Sequence, residues 1–145
     1  MISQIIQSQI DELTRALEHE LEQAAFVQAI LGVEFLGAMS DDKPLRADKQ
    51  STKRFRIGLR KYFPKRYGAP AIVDLLYKQL RCNLSHLSMP SNGVVFDLPS
   101  NHLLLTDQGI VVNKVLFIQD YLSALEKLLT KIESGELILK KGLPN

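Results

Sequence analysis

The sequence contains one cysteine, Cys82, and no tryptophan. A lone thiol excludes an intramolecular disulfide and any multi-cysteine zinc or iron–sulfur site. The only histidines are His19, His86 and His102, too scattered for a histidine metal cage, so no metal and no cofactor is expected. No glycine-rich phosphate loop announces a nucleotide pocket. The longest apolar run, 24–39, is interrupted by Gln28 and Glu34 and falls short of a membrane span. There is no basic, apolar leader pattern, no lipidation motif, no internal repeat and no low-complexity tract. A cytoplasmic, reducing location is the expectation.

What is present suits one globular domain over residues 1–145. The apolar share is 46% and the charged share 23%, ordinary for a chain that buries a core without covalent staples. The net charge of +2 hides a strong segregation. Residues 1–42 carry eight acids and one base, Arg15. Residues 43–66 carry ten bases against Asp48 alone, a local charge of +9. Residues 67–145 are balanced. A dipolar chain of this kind attracts phosphate locally even though its total charge is small.

Periodicity predicts a mainly helical fold. Ile6, Ile10, Leu13, Leu17, Leu21, Ala24 and Leu31 form a stripe that reads as one helix over 3–38, or two with a kink near Gly32. The polar stretch DDKPLRADKQ breaks the pattern. A second helix starts at Ser51 or Thr52 as N-cap, buries Phe55, Leu59 and Tyr62, and stops at Pro64. A third runs over about 69–87 with Pro70 in its first turn and a stripe of Val73, Leu76, Leu80, Leu84 and Leu87. Turn-rich sequence follows, with short apolar runs at 94–96, 102–105 and 110–112. These predict a small hairpin around Asp107-Gln108-Gly109 with a third strand, a β-rich insertion over about 91–112. Asn113 caps a last helix over 114–134, Gly135 ends it, and the tail adds at most a short strand.

The segment richest in chemistry is Leu80-Arg81-Cys82-Asn83-Leu84-Ser85-His86. Arginine holds a phosphate through its fork, and histidine exchanges protons near neutral pH. The pair suits acid–base cleavage of a phosphodiester without a metal. On an ideal helix, positions five apart point about 140° apart. Arg81 and His86 therefore converge only if the helix opens near Ser85 or a second subunit completes the site. The structural alternative is a salt-bridged arginine and a histidine capping helix-end carbonyls. Cys82 reads as a small core residue, and His19 and His102 as structural or exposed.

LYKQLRCNLSH, 76–86, resembles the Arg-x4-His signature of the HEPN superfamily, and the flanking FLGAMS and RFRIGLRKYFP stretches are similar to bacterial HEPN-like proteins. The resemblance covers about 35–86. It implies a four- to five-helix bundle that dimerises around a shared cleft, here with a β-hairpin insertion before the last long helix. It implies a metal-independent endoribonuclease of the toxin or defence kind, with Arg81 and His86 as the catalytic pair and Asn83 as their polar companion. Lys53, Arg54, Arg56, Arg60, Lys61, Lys65 and Arg66 are then the nucleic-acid-binding face. Partners implied are RNA, a second copy, and an antitoxin or nucleotidyltransferase. Ser88 stands where some toxins of the family carry a tyrosine that such a transferase modifies. Other members are non-catalytic RNA-binding or interaction modules, which is the competing expectation. The basic stretch has a second fate as well: docking onto the acidic first helix of its own or another subunit.

Overall fold

A computed structural model describes residues 1–87, 93–137 and 139, with the side chains of His86 and Leu87 outside that description. Most of the tail, where a short strand was expected, and the first residues of the 91–112 insertion also lie outside the described residues.

The chain is mainly helical, with one small sheet ahead of the last long helix. Helix α1 spans Ile2–Glu18 and α2 spans Glu22–Ser40. The single helix expected over 3–38 is thus divided, but not at Gly32. The break falls at Glu20, whose φ of 59° is left-handed. The Leu21 N–H reaches back to the Ala16 carbonyl at 2.8 Å, closing the end of α1 as a glycine usually would. The break resets the helical phase, so Leu21, Ala24 and Leu31 fall on exposed positions. The buried side of α2 is instead Ala25, Phe26, Ala29, Ile30, Val33 and Leu36. By length and composition α2 could cross a membrane, contrary to the sequence expectation, but half of it is buried inside the protein.

Helix α3 spans Ser51–Tyr62 and lies antiparallel to α2. The approach is close enough that backbones meet. A Cβ on Gly37 would stand 2.0 Å from the Arg54 carbonyl oxygen, and one on Gly58 would stand 2.3 Å from that of Val33. Gly32 stays helical; its missing side chain makes room for the Tyr121 hydroxyl, which would lie 2.0 Å from a Cβ there.

After Pro64 and a short 3-10 turn, Lys65–Gly68, a continuous helical run begins at Pro70. It is α-helical as α4, Pro70–Leu75, widens to a π-helix over Leu76–Arg81, and returns to α geometry as α5, Cys82–Leu87. The run does not open near Ser85; its irregularity lies upstream. Val73, Leu76, Leu80 and Leu84 are buried as their spacing requires.

The insertion forms a three-stranded sheet of order β1-β3-β2. Strand β1, Val94–Phe96, runs parallel to β3, Gly109–Val112; β2, Leu105–Thr106, pairs with β3 antiparallel. The expected hairpin is present, shortened because His102 and Leu103 leave the strand for a loop. Helix α6, Lys114–Glu133, begins where Asn113 accepts a hydrogen bond from the Leu116 N–H at 2.9 Å.

The elements close over an aromatic centre. Phe63, Tyr67, Phe117 and Phe26 meet edge-on or tilted at centroid distances of 4.9 to 5.9 Å. Each such pair adds about 0.5–1.5 kcal/mol beyond the area it buries.

Candidate functional site

The π-helix places Arg81. A π-turn carries one more residue than the α-turn it replaces, re-aims the side chains around it, and occurs often at functional positions. Here it directs Tyr77 and Arg81 toward α2 and the start of α3. Arg81 Nε forms an ion pair with Glu34 Oε1. Ser51 donates to the same carboxylate oxygen at 2.6 Å and lies 2.9 Å from the Tyr77 hydroxyl. The Arg81 guanidinium sits 5.7 Å from the Tyr77 ring centroid. The product is a closed ring, Glu34–Ser51–Tyr77–Arg81, with both charged side chains 21% exposed. Burial pushes the Arg81 pKa down, but the hydrogen bond and charge of Glu34 outweigh it and the net movement is upward. Arg81 is therefore a permanent, oriented cation. Among the described contacts its Nη groups make only a long one, 3.4 Å to Ser85 Oγ.

The other expected site residues are placed as follows. Asn83 donates to the Gln79 carbonyl of its own helix at 3.2 Å, so its amide is engaged one turn back and not on Arg81. The His86 backbone continues α5, and its side chain lies outside the described residues. Arg81 ends the π-helix and α5 begins at Cys82, so the two expected site positions lie on successive helical segments of one run. Lys53, Arg56, Arg60, Lys61, Lys65 and Arg66 are exposed. Arg54 is not part of that face. It is 5% exposed, bonded through Nε to Asp41 at 2.7 Å and through its Nη groups to the Pro44 and Leu45 carbonyls. This arginine ties the polar 41–50 stretch to α3, and a buried guanidinium needs such partners. Among the described ion pairs, none joins the basic stretch to α1; Arg66 alone of the face pairs, with Asp120 at 3.7 Å. Among the described residues no group of three or more His, Cys, Asp or Glu side chains gathers in metal-ligand fashion.

A second polar cluster escaped the sequence reading. The Asn113 N–H donates to His102 Nδ1 at 2.9 Å. That fixes Nδ1 as acceptor and puts the proton on Nε2, 2.6 Å from the Tyr67 hydroxyl, which in turn donates to Asp120 at 2.5 Å. The relay pins the insertion to the 3-10 turn and to α6. Its members are 35 and 53 positions apart in sequence, so no local pattern could reveal it. Burial, with a smaller contribution from the Arg66 charge, pushes the His102 pKa down from 6.5 to about 4. Burial and the Asp120 carboxylate push that of Tyr67 up.

Between pH 6.5 and about 4 the unfolded chain binds the His102 proton and the folded chain does not. His102 stabilisation is thus complete above pH 6.5 and is lost as the pH falls to about 4, a loss of about 3 kcal/mol. Urea midpoints of the wild type should fall by more between pH 7 and pH 4.5 than those of His102→Gln. Equal declines would show that His102 is not held neutral.

No family model matches the chain, and no curated protein or solved structure is significantly similar to it.

Proposed function

We propose that the chain is a HEPN-like, metal-independent endoribonuclease of the toxin or defence type, acting in the cytoplasm as a homodimer. The supporting observation is the ring around Arg81. It orients a permanent cation at the edge of the molecule, beside the first turn of the helix that carries Lys53, Arg56, Arg60 and Lys61. Glu34 engages Nε, which leaves the Nη fork for a phosphate.

In the proposed reaction the fork holds the scissile phosphate. His86 takes the proton of the RNA 2′-hydroxyl as that oxygen bonds to phosphorus. The bond from phosphorus to the 5′-oxygen breaks, and an imidazolium returns a proton to the leaving oxygen. The products end in a 2′,3′-cyclic phosphate and a 5′-hydroxyl. Positions five apart on an ideal helix point about 140° apart, so the working pair is drawn from two chains facing each other across a two-fold axis. Asn83 acts by holding the helix turn rather than by touching substrate. The exposed bases bind the RNA backbone. An antitoxin or nucleotidyltransferase would act by covering or modifying this cleft.

The test is incubation of the protein with RNA in the presence of a chelator. Fragments with cyclic phosphate ends support the proposal, and intact RNA contradicts it. RNA binding carries a second expectation. Changing Lys53 and Lys61 together to Gln should lower the log–log salt slope by about 1.4, near 0.7 for each single-strand phosphate that is no longer neutralised. An unchanged slope would remove α3 from the interface.

A non-catalytic HEPN-like RNA-binding or interaction module is the second reading. It is favoured by the Arg81–Glu34 pair, which already balances the charge that catalysis would use. It gives the same salt-sensitive binding with no cleavage.

A further inference from the structure

Glu34 has two sides. One holds Arg81; the other forms part of the wall of an open groove of about 480 Å³ between α1, α2 and the 41–50 stretch. The rest of the lining is Ile2, Ile5, Phe35, Ala38, Leu45 and Arg54. This is an open, mostly apolar groove with an aromatic ring, one carboxylate, and one guanidinium whose three nitrogens already donate inside the protein. Glu34 Oε1 receives Ser51 and Arg81, and among the described contacts Oε2 receives no donor.

Resting on the ribonuclease reading, we propose that this groove is a purine subsite, taking the base next to the phosphate held at Arg81. An apolar groove with an aromatic side chain suits a stacked base, and its volume is in the range of small-ligand sites. A carboxylate oxygen accepts from the amino group of adenine or from the amino group and ring N–H of guanine. The larger purine surface fills more of the groove than a pyrimidine does. Base and phosphate sites share one residue, Glu34, which lines the groove and pairs with Arg81.

The experiment is calorimetric titration of the protein with the four nucleoside 3′-monophosphates and with inorganic phosphate. Adenosine and guanosine monophosphates should bind about tenfold more tightly than the pyrimidine nucleotides, because the second ring buries more apolar surface. Phe35→Leu, which keeps apolar volume but removes the ring, should erase the preference and leave the inorganic phosphate affinity unchanged. Ile5 is exposed, so Ile5→Asn tests the same wall without risk to the core. Equal affinity for all four nucleotides, or a preference that survives both variants, overturns the proposal. So does a groove covered by a second copy, seen as no nucleotide binding and a dimer that Ile5→Asn dissociates. Binding needs no cleavage, so the two readings fail separately. Purine-selective binding by a protein that leaves RNA intact keeps the subsite and removes the ribonuclease. Cleavage without purine preference does the reverse.

Discussion

Replacing Arg81 by alanine should lower RNA cleavage by about a thousandfold while leaving the fold and the dimer in place. The magnitude is that of removing one preorganised charge donor from a developing oxyanion. The stability cost should be small, about 1 kcal/mol, because the Arg81–Glu34 pair is partly exposed and Glu34 keeps its hydrogen bond from Ser51. Arg81→Lys separates charge from shape. A lysine keeps the positive charge but cannot engage Glu34 and a phosphate through one rigid fork, so most of the loss should remain. Cleavage rates measured under single-turnover conditions, beside thermal unfolding of each variant, make the comparison. If Arg81→Ala cleaves as fast as the wild type, Arg81 has the purely structural role that its ion pair with Glu34 would also explain.

The largest effect on stability is expected at Gly37. Alanine favours helix over glycine by about 1 kcal/mol, so Gly37→Ala would stabilise an isolated helix. In the protein the new methyl would meet the Arg54 carbonyl oxygen at 2.0 Å and its carbonyl carbon at 2.6 Å. Those atoms belong to the backbone of α3 and cannot rotate away. The helices must separate, loosening Val33 and Leu36 against Phe55 and Leu59 and straining the buried Arg54–Asp41 pair. A net loss of about 3 kcal/mol or more is expected, a large part of the stability of a domain this size. Gly135→Ala is the contrast. Nothing lies within 4 Å of a Cβ there, so only the left-handed backbone at φ 76° opposes it, at about 1 kcal/mol. Urea denaturation of both variants decides the matter. A midpoint for Gly37→Ala at or above the wild type would mean that α2 and α3 do not pack backbone to backbone.

Much of the architecture was readable because it rests on local rules. The Phe55, Leu59, Tyr62 stripe, the Asn113 cap, the hairpin around Asp107-Gln108-Gly109 and the end at Gly135 each depend on a few adjacent residues. The break at Glu20 was not, because a non-glycine residue in the left-handed region gives no compositional sign. Expecting the kink at Gly32 had a sound premise and a different cause: that glycine serves the Tyr121 hydroxyl, a contact made across the fold. The π-helix at 76–81 was hidden for the same reason, since its apolar spacing is compatible with plain α-helix.

The candidate site divides along the same line. Arg81 stood out by residue type, and the exposed lysines and arginines of α3 by their density. That Arg54 belongs to Asp41, that Glu34 holds Arg81, and that His102 is bound into a relay with Tyr67 and Asp120 are long-range facts. In each the partner is supplied by tertiary packing.

Arg81 and His86 are proposed to cleave RNA without a metal. The most direct measurement is the rate at which wild type and His86→Ala degrade an RNA substrate in EDTA, both shown to be folded and dimeric. Cleavage by the wild type to cyclic phosphate ends, and none by the variant, is the expected result. Intact RNA with both proteins, or equal cleavage by both, would contradict it.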